Sequence, residues 1–473
     1  MFKIKMVADM HHFSETLTDG KEAYRLRASS DQKCLAETGS IIDSAFDKIG
    51  SSDCDALLIA GDMSNDGEKV AHDEMKAKIA KLAEKKNVYV IYSTHDWCCN
   101  GDAKRFEGDK YIKDVETVSA EYLREFYSSF GEEKAYTTYV NEIGAVSYAV
   151  DLSDDIRLIC LNDDKNGKGK AGYCDEHFEW IIKQVKDAKL MKKTVILMEH
   201  HLVLPCISKL VNSGQMIGDA DERAEALAQA GVDFIIVGHS HMQRTTKYIA
   251  KNGNIMHQIN LGSLSGHPSP ITTLIIDENE YRIDVEQLSD FTYKNQKYTS
   301  DYITEHTKDL LMGLLNSAAY DKNEFIARFN AIDEKLKYDG KYYFLISKVA
   351  KTLLNITVGK AGKIINALTF GKGVNKNAVK QIKNDNLVNH IMNIYLSVFD
   401  GSMKKYDKDD PVYIIVKDVA SLPLRLSKYI KPLRKESMQK LFNQIIEIAE
   451  ELTNPALPDN QHCTIKKCDN ITI

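Results

Sequence analysis

Five short apolar runs in the first half of the chain each end in side chains able to hold a metal ion. Ile4–Ala8 runs into Asp9-Met10-His11, and Ala56–Ala60 runs into Gly61-Asp62. Val88–Tyr92 runs into Ser93-Thr94-His95-Asp96, Val195–Met198 into Glu199-His200-His201, and Phe234–Val237 into Gly238-His239-Ser240-His241. Bounded, branched apolar runs of this length predict buried strands. In sheets built from βαβ units, ligands gather beyond the carboxyl ends of the strands. Strands delivering carboxylate and imidazole to one edge would build a metal site. Oxygen and nitrogen donors without thiolate suit Mn, Fe or Zn.

Single blocks carry little. Asp favours turns, so Gly61-Asp62 alone reads more readily as a turn than as a ligand. His239 and His241, at alternate positions after a buried run, have less structural use. The blocks taken together, in this order, carry the chemistry.

In that order they resemble the calcineurin-like metallophosphoesterases, whose pattern is D-x-H, G-D, G-N-H-[DE], H and G-H-x-H. The resemblance covers residues 1–288, and Asn260-Leu261-Gly262-Ser263-Leu264 followed by a strand is similar to the family's final sheet segment. It implies two divalent metal ions (Mn, Fe or Zn, with Mn favoured). One would take Asp9, His11 and His241, the second would take His200 and His239, and Asp62 would bridge them. His95 would stand beside the scissile phosphate, with Asp96 available to orient it. Two cations about 3.5–4 Å apart hold a hydroxide, neutralise phosphate oxygens and stabilise in-line displacement. A His that donates a proton eases departure of the leaving oxygen. The expected activity is hydrolysis of a phosphomonoester or phosphodiester by a metal-bridging hydroxide.

One position departs from the pattern. The family's Asn in the third block, a ligand of the second metal, is Thr94 here, and the preceding Gly is Ser93. A hydroxyl reaches less far than a carboxamide and is a poorer neutral ligand, so the second metal is expected to bind more weakly. The alternative is a catalytically degenerate domain acting as a binding or scaffolding module.

The elements that must position these residues alternate. Ser40–Ile49, Glu176–Leu190 and Arg223–Ala230 have helical spacing, and Asp73–Glu84 is charged and alanine-rich, which predicts an exposed helix. Ala145–Val150 and Ile156–Leu161 predict a hairpin, and Ile255–Asn260, Ile271–Ile276 and Tyr281–Val285 predict further strands. This order suits an α/β fold, a layered two-sheet β sandwich flanked by helices. Residues 97–140 form a polar insertion with a helix at Glu121–Tyr127, a candidate substrate-facing cap. The loop Gly167-Lys168-Gly169-Lys170 reads as solvated. The strand signal ends near residue 290, and Ile303–Leu315, Leu387–Phe399 and Leu441–Leu452 predict a mainly helical C-terminal domain over 291–473, with Pro455 and Pro458 closing the last helix.

At 473 residues two or more domains are expected, and a net charge of −6 argues against wholesale nucleic-acid binding. Nine scattered cysteines give no disulfide framework, although Cys463 and Cys468 leave a tail pairing or metal contact open. No signal peptide and no membrane-spanning run is visible, so the expected location is the cytoplasm. From Lys341 to Lys383 nine lysines are interleaved with aromatic and aliphatic residues, and no acid interrupts them. Such a stretch either is an ordinary helix pair with its apolar side in a core, or it lies on an anionic membrane surface or nucleic-acid phosphates. Near anionic lipid each lysine would contribute about 1 kcal/mol.

Overall fold

The runs Ala56–Ala60, Val195–Met198 and Phe234–Val237 are apolar at every position because both of their faces are covered. The computed structural model describes residues 1–165, 170–332, 337–401, 406–453 and 462–467. In it β1 (Phe2–Val7), β2 (Ala56–Ala60) and β3 (Asn87–Ile91) are parallel neighbours, with α1 (Thr38–Ser51) and α2 (Lys69–Ala83) as the intervening crossovers. Along β2 the side chains alternate. Ala56, Leu58 and Ala60 enter the core between the two sheets, while Leu57 and Ile59 pack with Ile41, Ile42, Phe46 and Ile79 of α1 and α2. A strand buried on both faces loses the polar alternation of an exposed one.

The chain then adds α3 (Ala120–Tyr127), β4 (Thr137–Val140), β5 (Val146–Ser153), β6 (Ile156–Cys160), α4 (Asp175–Leu190), β7 (Thr194–Met198), α5 (Ala220–Ala230) and β8 (Phe234–Val237). It continues through β9 (Arg244–Ile249), β10 (Ile255–Asn260), β11 (Pro270–Ile276) and β12 (Glu280–Gln287), and β13 (His462–Lys466) returns to the sandwich. The first sheet has the order β13-β12-β11-β1-β2-β3 and the second β9-β10-β8-β7-β6-β5-β4. β6, β7, β8 and β10 run parallel, so their carboxyl ends lie on one edge, as those of β1, β2 and β3 do. Ile4, Met6 and Leu58 of the first sheet meet Leu158, Ile196, Met198 and Ile236 of the second. The fold is the two-sheet α/β sandwich with outer helices.

Three expectations need correcting. α2 is not an exposed helix: Met75, Ile79 and Leu82 recur at helical spacing and are buried beneath its charged face. The segment 97–140, expected as an insertion, is built into the sandwich. Val118, Leu123, Tyr127 and Phe130 sit in the core with α1 and α2, and β4 forms an edge of the second sheet. Outside that core the segment makes a short hairpin of Arg105–Glu107 and Lys110–Ile112, whose Phe106 packs on Phe13 and Tyr24. The boundary near residue 290 also moves. The hairpin Asp290–Tyr293 with Gln296–Thr299 carries Phe291 into the first core, and that compact unit comprises Met1–Cys206, Ser213–His306 and Asn460–Ile473.

The second unit, Ile207–Asn212 with Thr307–Asp459, is mainly helical. Its helices include α6 (Asp301–Tyr320), which begins in the first unit, α7 (Lys322–Ile332), α8 (Tyr343–Asn355), α9 (Val358–Leu368), α10 (Lys376–Gln381), α11 (Leu387–Phe399), α12 (Pro411–Ser427) and α13 (Glu436–Thr453). Side-chain caps from Thr357, Asn375, Asn386 and Asp410 start α9 to α12. Gly167, Lys168, Gly169, Pro455, Pro458 and Cys468 lie outside the described residues.

Leu58 is fully buried between the sheets. Leu58→Ala should lower the unfolding free energy of the sandwich by about 2–5 kcal/mol, the usual cost of a truncated core leucine. Denaturant titration followed by tryptophan fluorescence would show the midpoint fall with little change in slope.

Candidate metal centre

The turns after five strands converge on one buried point. Asp9 and His11 follow β1, Asp62 follows β2, His95 follows β3, His200 follows β7, and His239 and His241 follow β8. Their backbones are unusual. Asp9, His11, Asp62, His239 and His241 all have positive φ, between 44° and 66°. A non-glycine residue in this left-handed region costs about 1–3 kcal/mol and persists where the surroundings enforce it. Here the turns enforce each other: Asp9 N–H donates to Gly61 O (3.2 Å), His11 N–H to Asp62 O (2.9 Å), and His239 N–H to the Asp9 carboxylate (3.1 Å).

Two triads result. Asp9, His11 and His241 bring one donor atom each within 4.8 Å of one another, and so do Asp62, His200 and His239. Asp62 joins them, its Oδ2 lying 3.1 Å from His200 Nε2 and 3.8 Å from His11 Nε2. His11 Nε2 and His241 Nε2 approach to 3.1 Å, and His241 Nε2 is 3.5 Å from Asp9 Oδ1. Imidazole nitrogens and carboxylate oxygens converge in this way around a cation they share. The rings are also turned for it. His200 Nδ1–H donates to Ala60 O (2.8 Å), which leaves Nε2 buried and without a well-aligned hydrogen bond. His241 Nδ1–H donates to Gln32 Oε1 (2.8 Å). Fixing one ring nitrogen frees the other as a ligand. Burial first, then Lys33, holds His11 well below the usual imidazole range, and burial with His201 and His200 does so for His239. Both are therefore neutral, as metal ligation requires. Burial opposes the Asp62 carboxylate, but His200 and His95 outweigh it and keep it ionised. The donor set fits two divalent cations.

His95 belongs to the same cluster. Its N–H donates to Asp62 Oδ1 (3.3 Å), and its ring meets His11 edge-on at 4.9 Å. Its Nδ1 contacts Asn65 O (2.6 Å) and Asp66 Oδ1 (3.2 Å). Burial works against charge on this ring, but Asp62 and then Asp66 raise its pKa to about 9. The carboxylate in contact with the ring is Asp66, whereas the expected partner Asp96 turns elsewhere. Asp96 accepts from Ser64 N–H (2.8 Å) and Ser93 N–H (2.9 Å), with burial and Asp62 raising its pKa to about 7. It pins the β2 and β3 turns together from below. Thr94 is half-buried in the same turn, its carbonyl accepting from Cys99 N–H (3.0 Å).

Sequence reasoning missed several neighbours. Lys33, on the segment before α1, is buried with its Nζ 3.3 Å from Asn65 Oδ1, and its charge reaches His11, His95 and Asp66. Asp163 and Asp164 follow β6 as a further acidic strand end. Asp163 accepts from His201 N–H (2.7 Å), and Asp164 accepts from Ser93 Oγ and Trp97 Nε1–H (both 2.7 Å). The strand-end signal that found Asp62 was present in Asn162-Asp163-Asp164 too. Lys33 and Gln32 carry no such signal, because no strand precedes them.

Two substitutions probe the centre. Asp62→Ala should remove both cations together, so metal analysis of protein reconstituted with Mn should fall from two equivalents to less than one; retention of both would remove Asp62 from the bridge. Thr94→Asn should tighten the weaker of two Mn sites in a calorimetric titration of stripped protein, and equal affinities in the two forms would show that residue 94 does not face that site.

A search of curated proteins gave no match. Among solved structures, a dimetal phosphatase from Danio rerio aligns at 12% identity over 63% of this chain and 99% of its own, with a TM-score of 0.44. A purple acid phosphatase from yellow lupin (Lupinus luteus) seeds aligns at 14% identity over 63% of this chain and 52% of its own, with a TM-score of 0.43. A sequence profile of the calcineurin-like phosphoesterases matches residues 2–243, more than half of the 473 residues. The chain belongs to the calcineurin-like phosphoesterase family.

Proposed function

We propose that the chain hydrolyses a phosphate ester, mono- or diester, at a centre of two divalent cations held by Asp9, His11, His241 and by Asp62, His200, His239. The observation that carries this reading is the pair of triads joined through Asp62, with His95 against the joint. Carboxylate and imidazole donors suit Mn, Fe or Zn, and Mn is the cation we favour. When bound, the cations would supply an activated water and neutralise phosphate oxygens.

The chain's own residues do the rest. Asp62 sets the distance between the two triads. Ala60 O and Gln32 Oε1 hold the His200 and His241 rings so that each presents Nε2. Asp66 and Asn65 O fix His95 by Nδ1, which leaves Nε2 to donate a proton to the leaving oxygen. Cations at Asp62 would offset part of its pull on His95, and Asp66 then remains as the carboxylate that favours the protonated ring. Lys33, buried beside this group, adds fixed positive charge where a dianionic phosphate would dock.

The competing reading, a degenerate module that binds without turnover, draws on Thr94. It is separated from the first by activity: Mn-loaded protein should cleave p-nitrophenyl phosphate or the diester bis(p-nitrophenyl) phosphate, and full metal occupancy without turnover of either would favour the binding module. His95→Ala should keep near-normal metal content and lower kcat by about 10²–10⁴-fold on an alkyl ester, the range for general acid catalysis. The loss should shrink on a p-nitrophenyl ester, whose leaving oxygen needs less protonation. An equal loss on both substrates would deny His95 the proton-donor role.

A further inference from the structure

The lysine-rich stretch of the second unit does not hide its apolar residues. In α8, Leu345 and Val349 lie one turn apart on the side away from the buried Ser347 and Ala350, and both are exposed. Phe344 beside them is 82% exposed. In α9 the buried side is set by Gly362, where a Cβ would come within 2.8 Å of Val379; α10 therefore packs there. The side away from Gly362 presents Lys360, Ile364 and Leu368 at four-residue spacing, with Lys363 and Ala367 adjoining them. Leu368 is 76% exposed, and Phe370 in the turn that follows is 94% exposed.

Burying such residues is normally what holds a helix to its domain. Large apolar side chains grouped on exposed helix faces mark a contact surface more often than chance does. The charge says what it contacts. Nine lysines lie between Lys341 and Lys383 with no acid among them. Among the described residues none of the nine has an ion-pair partner, whereas Lys308 and Lys417 elsewhere in this unit do interact with partners. Acids that contact the stretch do so through its backbone and not through a lysine head: Asp339 accepts from Lys341 N–H (2.8 Å), and Asp418 accepts from Asn375 N–H (2.7 Å) and lies 3.9 Å from Arg425. Unpaired lysines flanking exposed Phe, Leu, Ile and Val match an anionic bilayer surface, where the heads meet lipid phosphate and the apolar tips enter the acyl boundary. Duplex nucleic acid would use the lysines but offers nothing for Leu368 or Val349. Among the described residues no helix is long and apolar enough to cross a membrane, so the contact is one of lying on the surface.

We infer that α8, α9 and the turn at Phe370 form a docking face for an anionic lipid surface.

The test is flotation of the full chain with vesicles of phosphatidylcholine alone or of equimolar phosphatidylcholine and phosphatidylserine. Binding is expected on the mixed vesicles, much weaker on phosphatidylcholine, and falling as salt is raised. Leu368→Ser with Phe370→Ser, and separately Lys360→Glu with Lys363→Glu, should each lower the partition coefficient about tenfold or more. All four side chains are exposed, so unchanged circular dichroism and unchanged aryl phosphatase rates would show that the fold is intact. No binding to the mixed vesicles would overturn the inference. So would binding that needs the lysines but ignores Leu368 and Phe370, the pattern expected of plain polyanion attraction such as to a nucleic-acid duplex. Concentration-dependent dimerisation abolished by the Leu368 and Phe370 pair would assign the face to a second copy instead.

Discussion

A single buried carboxylate, Asp62, joins the two triads of the centre. Its Oδ2 faces His200 Nε2 at 3.1 Å and His11 Nε2 at 3.8 Å, and its Oδ1 accepts the His95 N–H. Those three partners end β7, β1 and β3, strands drawn from both sheets. The sandwich must therefore close with its two parallel edges in register, or Asp62 loses the groups that keep it ionised in a dry interior. Its own backbone conformation, φ 51°, belongs to the same constraint, because the turn after β2 must reverse sharply to aim the side chain inward. Gly61 serves that reversal: with φ 84° it adopts the left-handed region, and a Cβ there would meet His200 at 2.7 Å.

Charge explains why the centre needs cations. Asp9, Asp62, Asp66, Asp163, Asp164 and Glu199 are all buried in or around it. Against them stand Lys33 and imidazoles, two of which, His11 and His239, are held neutral by burial and nearby positive groups. Glu199 is driven well above the usual carboxylate range by burial and by Asp163, with the Tyr173 hydroxyl donating to it, so this acid accommodates the crowding by staying protonated. Isolated buried carboxylates are costly, and divalent cations are the efficient remedy when several converge with imidazole. The outer ring is built from neutral dipoles and fixed loops: Ala60 O, Gln32, Asn65 O and the turn hydrogen bonds to Asp96 and Asp163.

The inner site was legible because parallel strands expose their ends in sequence. A run such as Phe234–Val237 followed by Gly238-His239-Ser240-His241 carries both the burial and the ligands within eight residues. The two-sheet fold was legible for the same reason. What stayed hidden depends on pairing across long separations. Asp96 stands next to His95 in sequence, yet its side chain turns to Ser64 and Ser93 while Asp66, on another turn, reaches the ring. β13 has five residues and joins β12 from some 175 positions away, so local pattern could not place it in the first sheet. The edge strand Arg244–Ile249 was missed because its residues are largely polar, as befits an edge. In the lysine-rich stretch the pattern gave amphipathic helices but not which side was covered; that turned on Gly362 and Val379, a tertiary contact.

The two proposals fall on different units: phosphate-ester hydrolysis on the sandwich and lipid docking on the helical unit. The central claim is the dinuclear centre, and anomalous diffraction from crystals soaked in Mn tests it most directly. The account predicts two Mn peaks about 3.5–4 Å apart, one against Asp9, His11 and His241 and the other against His200 and His239, with Asp62 between them. A single peak, or none, at saturating Mn would contradict it.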